Sequence, residues 1–540
     1  WIHTDCILRG TPGMTAPLKL ARTLAGRAPV FSVRPGSVSI LESPSAFYSA
    51  VMGGIGRANS RLRLAALYLG TEELEQALVA GVLQRIRSTR GLSVSVLLDR
   101  MRATRPDQFG RTSISTLSPL LAPAGDVQPI VTDGALGSAS AGGEGVGGEG
   151  VGVHLFHPPA VADIVAQLPP RFNEILAVQH VKAFVFDNDV LITGANMSSD
   201  YFTNRHDRYV LISGEPQVAD FFDDLLKVLG ACSFTVPRGV GSGFGTERAR
   251  TRLIPPRCVT APGCCTAHPL EVSRAMTARI HDVFHKHRAQ STVEEGAEGP
   301  CDGVGATTFV VPTVQLGSAD LRQDESVCTQ AMALPSELGG GSVTVSSPYC
   351  NFTPAALQSL ARRPLPSVKG EGSEQASTPA RVELITAASE ANGFYASRGV
   401  SSLLPTAYAI LEYDALIFLE DRIGAADVTL RLWRRGTDTF HAKGIWYAPP
   451  ARGQDDAFED PCLTVVGSSN FGVRSTERDL EAQILLVTSD HTLRGALGRE
   501  LKALRDDAHK CNAARARERA HGATSLLFRV LVRHVLSAFL

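Results

Sequence analysis

The chain has 540 residues, too many for one ordinary domain, so two lobes or more are expected. Hydrophobic residues make up 44% and charged residues 20%, the balance of a core-forming globular protein. A formal net charge of −1 lacks the electrostatic footprint of a nucleic-acid binder, and no run of 18 uncharged apolar residues offers a transmembrane helix.

Residues 1–35 read as a leader. Lys19, Arg22, Arg27 and Arg34 fall between Met14 and Leu41 without one acid among them, which suits an organellar transit peptide or an ordinary basic arm. Residues 36–237 form a first lobe. AFYSAVMGGIGRANSRLRLAALYLG predicts a helix and then a strand, and TEELEQALVAGVLQRIRSTRG a helix with acids in its first turn and a closing Gly91. LSVSVLLD follows as a short β-branched strand ending at Asp99, and this alternation favours an α/β layer. A glycine-rich surface insertion, 137–152, interrupts the lobe.

Residues 238–341 read as an irregular insertion or linker with one helical piece near LEVSRAMTARIHDVFHKH. A second lobe covers 342–510, with its own irregular stretch at 364–380. Residues 511–540 end in SLLFRVLVRHVLSAFL, where Arg529 and Arg533 share a helical face, so the helix either docks on the core or lies on a membrane surface. The ten cysteines show no Cys-x-x-Cys spacing, which favours free thiols over a zinc site or a disulfide framework.

The two lobes repeat one pattern. QHVKAFVF carries His180 and Lys182, followed by VLITG, Asn196 and, eleven residues on, Asp207. FHAKGIWY carries His441 and Lys443, followed by LTVVGSSN ending at Asn470 and, eleven residues on, Glu481. Alternation along a strand aims His180 and Lys182 the same way, presenting an imidazole and an ammonium together. Attack on a phosphodiester needs that combination: the lysine offsets charge on the non-bridging oxygens while the histidine acts as nucleophile or acid. Asparagine amides donate to the same oxygens, and Asp207 or Glu481 can orient a histidine through its other ring nitrogen. One set is half a site. Two sets across a pseudo-twofold place one histidine to form a phosphohistidine and the other to move the proton.

These motifs resemble the phospholipase D superfamily, with its His-x-Lys-x4-Asp and Gly-Ser-x-Asn signatures. RFNEILAVQHVKAFVFDNDVLITGANMSSDYFTNRHDRYVL (171–211), ASEANGFYASRG (388–399) and GSSNFGVRSTERDLEAQ (467–483) are similar to eukaryotic mitochondrial CDP-diacylglycerol–glycerol-3-phosphate 3-phosphatidyltransferases. The likeness covers most of 30–235 and 342–540. Gly194-Ala195-Asn196 is one residue short of the superfamily pattern, and Ala448 stands where the second motif would have its acid; both departures are features of that subgroup.

The resemblance implies an α/β fold of two pseudo-symmetric lobes, each a mixed sheet flanked by helices, with the active site between them. It implies phosphatidyl transfer from CDP-diacylglycerol to sn-glycerol 3-phosphate at a mitochondrial membrane surface, with no cofactor, metal or nucleic acid. His180 would be the nucleophile and His441 the acid–base, with Lys182, Lys443, Asn196, Ser468 and Asn470 on the phosphate, and Arg102 and Arg105 on a second phosphate. Asp187 joins the catalytic set as the motif's aspartate. Its odd spacing from His180 instead suits a turn or a lobe contact. The competing reading is a phosphodiesterase of the same fold, hydrolysing a phospholipid or nucleic acid.

Overall fold

The computed structural model describes residues 16–122 (without 27), 150–158, 177–238, 253, 254 and 256, 269–290, 308–363, 380–451 (without 396 and 398–401) and 458–538 (without 523). Two mixed sheets dominate. The first runs Phe234–Thr235, Val151–Phe156, Ser93–Asp99, Arg61–Ala65, Ala183–Phe186, Asp189–Thr193, Tyr209–Ile212, Val38–Leu41. The second repeats that order with Ala508–Cys511, Val428–Trp433, Ala380–Ala387, Gly341–Ser346, Gly444–Ala448, Leu463–Gly467, Glu481–Thr488 and Thr308–Leu316, then adds Phe31–Val33 at its edge. In both, three parallel strands adjoin an antiparallel hairpin whose arms follow the His-x-Lys pair.

The alternation of side chains explains how the sheets bury both faces. Phe184 and Phe186 point into a core internal to the first lobe, with Phe47, Leu64, Val96 and Tyr209. Val185 points the other way, into a larger core where Phe221 and Phe222 of helix Pro216–Ala231 meet Val310 and Leu485 of the second sheet. The lobes therefore share apolar packing. Among the described residues no helix is long and apolar enough to cross a membrane, and Cys232, Cys328, Cys350, Cys462 and Cys511 are free thiols.

Three expectations change. Within the supposed leader, helix Ala16–Ala25 buries Ala21, Leu24 and Ala25, and Phe31–Val33 pairs with Thr308–Val310. Within the supposed linker, Thr308–Leu316 pairs along its length with Glu481–Thr488, and helix Gln323–Glu337 packs beside it. Pro312, which has no N–H for a ladder, lies between the stretches paired with 31–33 and 321–322, so the strand tolerates it. The third is Asp187. It occupies the hairpin turn at φ 52°, and its carboxylate accepts from the backbone N–H groups of Asn59, Ser60 and Arg61 and from the Ser60 hydroxyl. Burial alone would raise its pKa, but those donors hold it below the ordinary value. Asp187 fastens the start of a central strand, so its place among the catalytic residues is corrected. The glycine-rich insertion lies outside the described residues except at its end, where strand Val151–Phe156 begins.

Candidate active site

The two His-x-Lys segments lie just ahead of strands Ala183–Phe186 and Gly444–Ala448, and each runs alongside a segment of the other lobe. His180 donates its backbone N–H to Leu480 O (2.8 Å), and His441 donates to His206 O (2.7 Å). Parallel pairing flanks both bonds, Gln179 with Leu480 and Thr439–Phe440 with Arg205–His206. The residue after each acceptor carbonyl is an acid, so the backbone register delivers each carboxylate to the opposite lobe's histidine.

The dyads are consequently crossed. His180 Nδ1 lies 2.9 Å from Glu481, and His441 Nδ1 lies 2.6 Å from Asp207. Both carboxylate side chains are fully buried. Lys182 Nζ donates to His180 O (2.7 Å), and Lys443 Nζ donates to His441 O (2.8 Å) and to Asp207 (3.1 Å). Gly194 makes room for this arrangement: a Cβ there would stand 2.6 Å from both Lys443 Nζ and Asp207 Oδ1.

Electrostatics favour neutral imidazoles. Burial pushes His180 and His441 well below the ordinary histidine pKa, and Lys182 and Lys443 add to the effect. Burial also lowers both lysines. It lifts Glu481 to about 7 against the pull of Lys182. Burial would raise Asp207 too, but Lys443 and His441 hold it below the usual carboxylate value. A neutral imidazole whose Nδ1–H is held by a carboxylate presents its Nε2 lone pair, the form required of a nucleophile or base.

The remaining candidates divide. Asn196 Oδ1 accepts from Leu67 N (3.2 Å), which fixes the amide with its NH2 free to donate elsewhere. Asn470 Oδ1 is buried and accepts no hydrogen bond among the described residues. Ser468 is fully buried; its hydroxyl exchanges hydrogen bonds with the backbone of Ala482 and supports the Glu481 carboxylate. Arg102 and Arg105 follow strand Ser93–Asp99, half-buried, with the Arg102 guanidinium 4.8 Å over the Tyr68 ring. The Tyr68 hydroxyl reaches Ser198, two residues beyond Asn196. Tyr201 escaped the sequence reading. Its hydroxyl lies 3.2 Å from His441 Nε2, and the matching spacing, five residues after each asparagine, would have marked it with Ser475.

Each dyad thus sets a neutral imidazole beside a buried lysine, a set able to attack phosphorus or to move the proton of an oxygen. Among the described residues no group of three or more His, Cys, Asp or Glu is placed to hold a metal ion.

No family model matches the chain. The mouse protein named CDP-diacylglycerol–glycerol-3-phosphate 3-phosphatidyltransferase, mitochondrial, is 32% identical over 88% of this chain and 79% of its own length. The human protein of the same name is 31% identical over 88% and 78%, and the Saccharomyces pastorianus transferase 30% over 88% and 82%. Among solved structures, phosphatidylserine synthase of Haemophilus influenzae Rd KW20 matches with a TM-score of 0.64 at 18% identity, covering 97% of this chain and all of that one, and shares its fold. With identities of 30% and more over 88% of its length, the chain belongs to the CDP-diacylglycerol–glycerol-3-phosphate 3-phosphatidyltransferase family.

Proposed function

We propose that the chain transfers the phosphatidyl group of CDP-diacylglycerol to sn-glycerol 3-phosphate through a phosphohistidine on His180, giving phosphatidylglycerophosphate and CMP. The observation that carries this is the crossed pair of buried dyads, each joining the two lobes and each with its own lysine. The relatives' names supply the two substrates. In the first step His180 Nε2 attacks the β-phosphorus of CDP-diacylglycerol, and the bond to the CMP oxygen breaks. The diphosphate brings negative charge against His441, which favours the imidazolium that protonates CMP. In the second step His441 takes the proton of the acceptor hydroxyl, whose oxygen attacks phosphorus and frees His180. Lys182, Lys443, Asn196 and Asn470 hold the non-bridging oxygens, and Ser468 steadies Glu481.

The mouse and human relatives are named mitochondrial, and we extend that location to this chain, at the inner membrane. Helix Leu526–His534 supplies the docking face for the lipid. Its inner side packs Val532 and Phe528 on Ala407 and Ile410, while Leu526, Leu527, Val530 and Leu531 face outward. Residues 519–540 contain no Asp or Glu, which suits an anionic surface.

Radiolabelled CMP release from CDP-diacylglycerol in detergent micelles tests the reaction. Release that depends on sn-glycerol 3-phosphate, with phosphatidylglycerophosphate formed, is the expected outcome. Equal release without acceptor, giving phosphatidic acid, would make the chain a hydrolase and sink the proposal.

A further inference from the structure

The two half-sites agree in spacing from their asparagines, and the places where they disagree in chemistry distinguish the two sides of the cleft. Five residues beyond Asn196 and Asn470 stand Tyr201 and Ser475; nine beyond stand Arg205 and Asp479. The Ser475 hydroxyl accepts from Asn470 N (3.1 Å) and supports Glu481, so it serves the dyad from behind. Tyr201 instead reaches the reactive nitrogen of the other dyad: its ring meets that of His441 edge-on at 5.1 Å, and its hydroxyl bonds Nε2. Buried and far from ionising, that hydroxyl occupies the place a reacting hydroxyl would take.

The charged pair differs more. Asp479 receives Arg474 at 2.9 Å and Val178 N at 2.9 Å, so this acid is paired on the His180 side. Among the described residues Arg205 has no carboxylate that close. Its guanidinium lies 5.0 Å over the Tyr201 ring, and its Nε donates to the neutral Thr439 hydroxyl (3.1 Å). Among the described residues its ion-pair partner is Asp200 at 3.7 Å, whose side chain is 61% exposed. Gly393 of the second lobe permits the approach, since a Cβ there would stand 3.2 Å from an Arg205 terminal nitrogen. A half-buried, under-compensated guanidinium, one aromatic ring from the proton-transferring histidine, is the group that recognises a phosphate monoester.

We infer that Arg205 and Tyr201 form the acceptor subsite, with Arg205 binding the phosphate of a short polyol phosphate and Tyr201 marking on His441 Nε2 the position of its attacking hydroxyl. This deepens the reaction proposed above and rests on it. The acceptor enters on the His441 side because Arg205 stands there with the exposed Asp200 as its ion-pair partner among the described residues. On the His180 side Asp479 already takes Arg474, and that side is left to the lipid phosphate.

Steady-state kinetics with both substrates varied tests the subsite. Arg205→Gln is expected to raise KM for sn-glycerol 3-phosphate by about tenfold or more while moving KM for CDP-diacylglycerol less than about threefold. Arg205→Lys keeps the charge without the fork and is expected to fall between wild type and Arg205→Gln; if the glutamine variant does not fold, the lysine variant must still raise the acceptor KM selectively. Equal changes in both KM values, or a fall in kcat alone, would reduce Arg205 to a lobe-packing residue and overturn the subsite. Wild-type protein that releases CMP without needing the acceptor would overturn the reaction itself, a result separable from any variant's behaviour.

Discussion

At the scale of single residues, the histidines are distinguished by what stands behind and in front of them. His180 is backed by Glu481, which burial lifts to about 7, and His441 by Asp207, which Lys443 keeps ionised. The nucleophile needs Nδ1–H held by an ionised carboxylate. Protonating Glu481 removes that acceptor, so activity should be present above about pH 7 and decline as pH falls through that value. In Glu481→Gln the group cannot titrate. Its kcat/KM for CDP-diacylglycerol should fall by about 10²–10⁴-fold and lose the acid limb near pH 7. A variant that is slow but keeps the wild-type limb would place the controlling group elsewhere.

At the scale of elements, the hairpins following each His-x-Lys pair were legible because alternation, the His-x-Lys spacing and the eleven residues from Asn to acid recur in both halves. Crossing of the dyads was not legible, since spacing within a half says nothing about which strand of the other half lies alongside; Leu480 O and His206 O decide it. Strand Thr308–Leu316 was hidden for a different reason. Buried throughout, it shows no alternation, it contains Pro312, and it follows a long aperiodic stretch. The amphipathic ending of the chain was recognised, and the structure resolves its two sides into a packed face and an outward stripe. Leu527, 79% exposed, lies on that stripe one turn from Val530 and Leu531. Leu527→Glu should leave the fold and the activity on micellar substrate near wild type while weakening flotation with anionic vesicles by about tenfold or more. Undiminished flotation would move the docking face to another surface.

At the scale of the whole molecule, neither lobe completes a dyad alone, and the interface is built to hold the cross-over in register. Arg208 of the first lobe is 2% exposed and inserts into the second. Its guanidinium lies 3.8 Å over Trp446, bonds Glu500 through Nε and Nη2, and donates to Val465 O and the Thr464 hydroxyl. Gly444, directly after Lys443, leaves the space: a Cβ there would collide with Arg208 Nη1. Because Arg208 follows Asp207, this anchor fixes the carboxylate of the His441 dyad while resting on the strand that follows that dyad's own histidine and lysine. Arg208→Met keeps much of the volume but strands Glu500 without its cation, and removing one partner of a buried pair costs about 3–5 kcal/mol. Urea unfolding followed both by tryptophan fluorescence, which Trp433 and Trp446 of the second lobe dominate, and by residual transfer activity should give coincident transitions, with the variant's midpoint shifted to lower denaturant. Coincidence is required because activity needs both lobes. A variant that loses activity at a lower urea concentration than it loses fluorescence would show the lobes parting before either unfolds, and the shared core would then contribute less to cohesion than the Arg208 anchor.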